Sequence, residues 1–393
     1  MVQGIAENLT RKGYGVTVIA GFYPTTSAFT RIVESNDGDI KIIWLPLLPY
    51  PRTRMYLRTS MPPNLRALYR LASTILRGGF DAIHLHGFGH PLIDAASTIC
   101  RISGRKFLIT VHGFPSSPQK SSGLLKYAYR LYSILVGRQT LISASTVIAV
   151  SSSVRRETLS HEIDSRRVRV IPNGIDLPSG PTSDNGGFHR KYQLEKEDRL
   201  LVSVGSLHER KGFQYLIEAI HLAKKEEPHV KLLIIGRDGG FGNSLAELVR
   251  ELGLGNDVIF TGYLESTAKL AVMREADIIV IPSLIEPFGL VALEAMSLAK
   301  PIVASATGGL VDILSDGHTA SLVHPGDSKN LAAVLVRLMH NENDRQLLSS
   351  NSAKHAVKYS WNNVIDDYTD LYRSVGRKRL FERLSVANDN EAN

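Results

Sequence analysis

Short apolar runs alternate along this chain with segments of helix length. In the first half, runs at 15–20, 40–45, 82–85, 106–111, 146–150 and 168–171 fit strands, and 2–10, 64–76, 91–102 and 123–136 fit helices. Continuously apolar strands separated by helices predict a parallel sheet covered on both faces, the doubly wound α/β class. Such a domain normally starts on its central strand, but the first element here is a helix ending near Gly13. That strand, and the glycine loop after it, are therefore expected to be missing from the sequence as written. Residues 172–196 break the pattern: Pro178, Gly180, Pro181, Gly186 and Gly187 among Ser, Thr, Asp and Asn are linker chemistry. A second series follows, with strands at 200–204, 231–235, 258–260, 278–281, 301–304 and 321–323. Its helices fall at 212–225, 245–252, 267–274, 290–298 and 329–339. One more helix fits 361–373, before a tail. The expected architecture is two Rossmann-like domains facing a cleft, residues 1–175 and 176–360.

The second domain is organised around Ser283-Leu-Ile-Glu286-Pro287-Phe288-Gly289-Leu290-Val-Ala-Leu-Glu294, directly after the run 278–281. A helix is expected to start here, with Pro287 in its first turn and Gly289 admitting close approach to its backbone. A strand feeding a helix N-terminus offers unpartnered backbone N–H groups to an anion. Glu286 and Glu294 would stand about 12 Å apart along a helix, too far to share a proton. The spacing suits the two ends of one elongated ligand, anionic in its middle and hydroxylated at both ends, as a nucleotide-sugar is.

Composition narrows the partners. The 393 residues hold one cysteine, Cys100, which excludes an internal disulfide and reads as a small buried residue. No apolar run reaches membrane-spanning length, and the N-terminus lacks the order of a signal peptide, so a cytoplasmic protein is expected. The net charge of +8 is lopsided: residues 1–176 carry 22 Lys and Arg against 10 Asp and Glu, the rest 24 against 28. A basic half suggests an anionic membrane surface, an acidic lipid carrier or nucleic acid; a solvated surface is the plainer alternative. Leucines and tyrosines interleaved with Lys126, Arg130 and Arg138, and leucines with Arg66, Arg70 and Arg77, fit helices packed on their own sheet, with a basic edge free to touch lipid.

Other motifs are weaker singly. Gly205-Ser206-Leu-His-Glu-Arg210-Lys211-Gly212 follows the second domain's first strand and suits a diphosphate; Gly236-Arg237-Asp-Gly239-Gly240 follows the next and reads equally as a turn. His112 ends the strand 106–111, where such folds place ligand contacts. His84 and His86 end the preceding strand. Expected on opposite strand faces, with no nearby carboxylate, they are assigned to packing and hydrogen bonding rather than to a metal. Asp37-Gly-Asp39 resembles a metal–diphosphate motif but reads as a hairpin turn.

Together these residues resemble glycosyltransferase family 4, the large retaining family with the GT-B fold. Glu286 with Glu294 matches its Glu-x7-Glu motif, supported by Val111-His112-Gly113, Val150-Ser151, Ile171-Pro-Asn-Gly-Ile-Asp176, the 204–212 loop, Thr307-Gly-Gly309 and Val323-His-Pro-Gly-Asp327. The resemblance implies transfer of a sugar from a nucleotide-diphosphate sugar, with retention, no cofactor and no metal. A UDP-sugar is favoured over GDP-mannose as donor; the acceptor would be lipid-linked, a polysaccharide or another glycan. It further implies that Glu294 holds the ribose, Glu286 the donor sugar, and the backbone of Phe288, Gly289 and Leu290 the sugar and phosphate. Lys211 would neutralise the leaving diphosphate, with Gly205, Ser206 and Arg210 beside it, and His112 would reach the donor sugar. The base would lie near Tyr263, Leu264 and Arg237. The helix at 361–380 would return to the first domain, leaving 381–393 as a tail.

Three departures stand out: Ser206 replaces a usual arginine, with Arg210 or Arg237 as substitutes; Asp312 replaces a glutamate; and the opening strand is absent. Met1 is accordingly expected to be an internal methionine of a longer protein. The expected enzyme acts in the cytoplasm, at the inner face of the membrane. Its competitors are a non-catalytic donor-binding remnant and, on charge alone, a nucleic-acid binder.

Overall fold

The computed structural model describes residues 1–22, 32–48, 62–114, 131–177, 191–192 and 194–375. It divides into two compact units, Met1–Gly174 with Trp361–Asn393, and Ile175–Ser360. The expected linker glycines and prolines, most of the helix at 123–136, and the tail lie outside the described residues.

Among its described residues the second unit carries six parallel strands. They are β8 (Arg199–Val204), β9 (Val230–Ile235), β10 (Val258–Gly262), β11 (Ile278–Ile281), β12 (Ile302–Ser305) and β13 (Ser321–Val323), ordered β10-β9-β8-β11-β12-β13. Counted within the unit this is 3-2-1-4-5-6, the doubly wound order, whose direction reverses between β8 and β11. Its strands are nearly continuous Val, Ile and Leu because both faces are covered, and Leu201, Leu232, Ile234, Ile278, Val280 and Val303 all enter one buried cluster.

Among the described residues of the first unit the strands fall into two sheets. β1 (Thr17–Phe22) and β3 (Ile40–Pro46) are parallel, with β2 (Val33–Asp37) antiparallel to β3. A separate parallel sheet runs β4 (His84–His86), β5 (Leu108–Val111), β6 (Thr146–Ala149) and β7 (Val168–Val170). β1 ends one sheet and β4 the other. Asp37 pairs with Ile40 across a turn in which Gly38 takes φ +56°, so Asp37-Gly-Asp39 is the hairpin turn its sequence suggests.

The sequence pattern missed β2 because all five of its residues are exposed and none is part of an apolar stripe. It also missed the helices Ser152–Leu159 and Glu342–Ala356, which bury only two and three residues respectively. The last helix, Trp361–Val375, packs within the first unit, where Trp361, Val364, Ile365 and Tyr368 share a core with Ile5, Leu9, Leu108 and Ile148. Trp361 fits there because two neighbours lack side chains: a Cβ on Gly4 or on Gly174 would fall 2.4 Å from its ring. Cys100 is fully buried, and burial pushes its thiol up to about 11, leaving it a packing residue.

Candidate functional site

In the second unit the candidate residues gather at the C-terminal ends of β8 and β11, where the strand order reverses. The loop after β8 turns through Glu209–Lys211 into the helix Phe213–Ala223, with Gly212 at φ +69°. A Cβ on Gly212 would lie 1.9 Å from the carbonyl oxygen of Pro282, so this glycine lets the β8 and β11 loops touch. The Arg210 carbonyl then accepts the N–H groups of Leu284 (2.8 Å) and Ile285 (3.3 Å). From the other side, the Gly309 N–H donates to the Glu286 carbonyl (2.8 Å), and a Cβ on Gly308 would meet that oxygen at 2.0 Å. Thr307 Oγ1 donates to the Leu284 carbonyl at 3.1 Å. The paired glycines of Thr307-Gly-Gly309 thus seat the loop that carries Glu286.

Held this way, Glu286 Oε2 accepts from Lys211 Nζ at 2.7 Å and from Ser283 Oγ at 3.3 Å. The ion pair is largely buried, with side chains 17% and 13% exposed. The Lys211 stem runs over Gly205, whose missing Cβ would lie 3.4 Å from Lys211 Cδ and Cε. The helix after Glu286 begins at Leu290, as the segment 290–298 predicts, capped by Gly289 at φ +108°; Pro287 lies ahead of it and not in its first turn, where it was expected. Residues 284–289 form an irregular loop because Gly308 and Gly309 occupy the space beneath it. Phe288 is buried, while Leu290 is exposed.

Glu294, one turn into that helix, does not meet Glu286's partners. Its Oε1 accepts from Lys269 Nζ at 2.6 Å, and its Oε2 is buried with no protein donor. Lys269 lies in the helix Ser266–Glu275 and nothing in the sequence pattern marked it; a pairing across 25 residues and two elements leaves no local spacing signal.

The base-side residues also meet: the Arg237 guanidinium sits 4.0 Å over the ring of Tyr263, which is half exposed. Leu264 follows, partly buried; Arg210 is exposed and Ser206 half-buried. The Gly236–Gly240 turn is closed by its own carboxylate. Asp238 Oδ1 accepts the N–H groups of Gly240 (2.8 Å), Phe241 (3.2 Å) and Gly242 (3.0 Å), and these bonds hold its pKa below the usual carboxylate range. Those amides are therefore engaged internally, which favours the turn reading there.

In the first unit, His84 and His86 do not point to opposite faces. Strand alternation places i and i+2 on one face, and their ring centroids are 4.0 Å apart. His84 bonds Tyr372 Oη and Thr110 Oγ1, both at 2.7 Å. His86 Nδ1 lies 3.3 Å from His112 Nε2, with the rings stacked. Burial lowers all three imidazoles, His84 to about 3 and His112 to about 4. Both members of the His86–His112 pair are neutral at pH 7, so one donates N–H and the other accepts. Among the described residues, no three His, Cys, Asp or Glu side chains group as for a metal ion.

The sequence matches Glycosyltransferase Family 4 over residues 1–178 and Glycosyl transferases group 1 over residues 185–355. The chain belongs to this glycosyltransferase family and has its GT-B fold. A D-inositol 3-phosphate glycosyltransferase from Stackebrandtia nassauensis is 28% identical over 410 residues, covering 97% of this chain and 88% of the relative. Among solved structures, sucrose-phosphate synthase from Thermosynechococcus elongatus superposes with a TM-score of 0.73 at 23% identity, covering 95% of this chain and 92% of that one. Anabaena HepE, in complex with UDP and glucose, gives 0.69 at 21%, covering 85% and 86%.

Proposed function

We propose that this glycosyltransferase takes its sugar from a nucleotide-diphosphate donor, a UDP-sugar in preference to GDP-mannose, and transfers it with retention to a lipid-linked, polysaccharide or other glycan acceptor. The observation that carries the reading is the meeting of Lys211 and Glu286 at the strand reversal, on loops held together by glycines that nothing larger could replace. When donor enters, the Lys211 ammonium turns from Glu286 to the diphosphate, and Glu286 is released to accept sugar hydroxyls. The bond from the sugar's anomeric carbon to the phosphate oxygen breaks and one to the acceptor oxygen forms. The acceptor proton passes to a phosphate oxygen on the same face. Lys211 stabilises the charge that develops on the leaving group, without a metal. Glu294 takes the ribose, and the Arg237–Tyr263 stack offers a flat face to the base, with Leu264 alongside. Gly205, Ser206, Arg210, Phe288, Gly289 and Leu290 line the phosphate and sugar. On the first unit, His112 offers a neutral imidazole to a sugar hydroxyl, and His86 fixes its tautomer.

The HepE complex with UDP and glucose supports the UDP assignment. A thermal-shift panel with UDP, GDP and ADP tests it. UDP at a hundredfold its Kd should add about 2.7 kcal/mol of stability, and Glu294→Ala should abolish the shift. A shift with GDP alone overturns the donor assignment. The anomeric configuration of the product, read by NMR, tests retention.

We further propose that the enzyme works at the inner face of a membrane. The helix Leu65–Arg77 buries Ala67, Leu71 and Ile75, yet Leu65 (84% exposed), Tyr69 (71%) and Leu76 (48%) form a second apolar stripe flanked by Arg66 and Arg77. Such a stripe beside fixed positive charge suits anionic lipid. Flotation with vesicles of 70% phosphatidylcholine and 30% phosphatidylglycerol should carry the protein, and L65E/Y69E should not float. Among the described residues no helix is long and apolar enough to cross a membrane. A second reading, a donor-binding remnant without turnover, draws on the divided sheets of the first unit; sugar transfer to any acceptor overturns it.

A further inference from the structure

Lys269 and Glu294 form a pair separate from the Lys211–Glu286 pair. Lys269 Nζ stands 2.6 Å from Glu294 Oε1, and the two side chains are 19% and 21% exposed. Each rides a different helix, Ser266–Glu275 and Leu290–Ser297, so their meeting ties the segment after β10 to the segment after β11. A carboxylate has about four lone-pair sites. The single bond from Lys269 to Oε1 leaves acceptor capacity on Glu294, and its buried Oε2 takes no protein donor.

A free glutamate side chain turns about three bonds, and ordering it on binding opposes affinity. Anchoring one oxygen in advance removes most of that opposition, and partly buried surroundings make the anchor firmer than an exposed pair would be. A vicinal diol, with two hydroxyls a fixed distance apart, gains most from an acceptor that is already oriented. A ligand with one hydroxyl there gains much less.

We propose that Lys269 is a positioning residue that sets Glu294 for the ribose diol, and so gives this site its preference for ribonucleotides over 2′-deoxyribonucleotides. The proposal rests on the reading of Glu294 as the ribose acceptor. Lys269 acts through Glu294 and is not itself placed on the ligand. A purely structural lysine would affect stability, and would weaken ribo and deoxy ligands equally.

The test is calorimetric titration of the full chain with UDP and 2′-deoxy-UDP, and in parallel with GDP and 2′-deoxy-GDP. Wild-type protein should favour the ribo form at least tenfold. Lys269→Met should reduce that ratio to below about threefold, chiefly by weakening the ribo form, and Lys269→Arg should restore it. In a Glu294→Ala background, Lys269→Met should change nothing further. If Lys269→Met fails to fold, Lys269→Gln, which keeps a neutral donor, is expected to give an intermediate ratio. A wild-type protein that binds ribo and deoxy forms equally, or binds neither pair, sinks the reading of Glu294 and this inference with it. A wild-type preference that survives undiminished in Lys269→Met, or in Lys269→Gln, sinks this inference alone.

Discussion

Lys211 and Glu286 lie 75 positions apart, and each was marked by its own loop before the two were seen to touch. The glycine turn after β8 announced a phosphate-type loop, and the strand-loop-helix stretch announced Glu286, because both features are local. Their ion pair is not local, since it depends on how β8 and β11 sit side by side. Lys211→Ala should lower kcat about 10²–10³-fold, the loss that follows removal of one preorganised stabiliser of developing charge, with sugar transfer rate as the measure. Because Glu286 would then lose its partner, KM for the donor should move less than kcat. Gly212→Ala is a different kind of change. It places a Cβ against the Pro282 oxygen in a left-handed backbone, and should destabilise the second unit by about 2 kcal/mol or more, read by urea unfolding.

At the scale of elements, long apolar strands and amphipathic helices were legible, and exposed or weakly striped ones were not. Residues 91–102 read as a helix from Pro91 onward, and the helix runs Pro91–Ile102. β2 carries Val, Glu, Ser, Asn and Asp on an exposed edge and has no period to read. The helix at 290–298 was legible, but Pro287 was read into its first turn because it suits that position in isolation; packing of Gly308 and Gly309 under the loop keeps it outside. The helix Trp361–Val375 gives an element-scale prediction. Gly174→Ala or Gly4→Ala should press on the Trp361 ring and destabilise the first unit by about 1–3 kcal/mol. Trp361→Phe, which shortens the ring system, should partly relieve Gly174→Ala, as a double-mutant cycle of thermal midpoints would show.

Across the whole molecule, three buried imidazoles link stability to pH. His84, His86 and His112 are held below their unfolded value of about 6.5, so between that pH and about 4 the unfolded chain binds protons the native chain refuses. Their contribution is fully present above pH 6.5 and is lost as pH falls. Each histidine should contribute a slope of up to about 1.4 kcal/mol per pH unit in that window. His84→Phe, which removes one titrating ring beside Tyr372 and Thr110, should flatten the fall of the thermal midpoint between pH 6.5 and 4.5.

Legible in the amino-acid order alone were the α/β class, most strands of both units, and the segments on which Lys211, Glu286, Glu294 and His112 lie. Hydrophobic period, glycine and proline placement and short motifs are properties of neighbouring residues. Which groups meet was settled by packing in three dimensions: Lys211 with Glu286, Lys269 with Glu294, Arg237 with Tyr263, and His86 with His112. Packing also decided that Pro287 stays outside the helix after Glu286 and that the described strands of the first unit form two sheets. Each of these follows from strand order and close packing between segments far apart in the chain, where spacing along the sequence carries no distance.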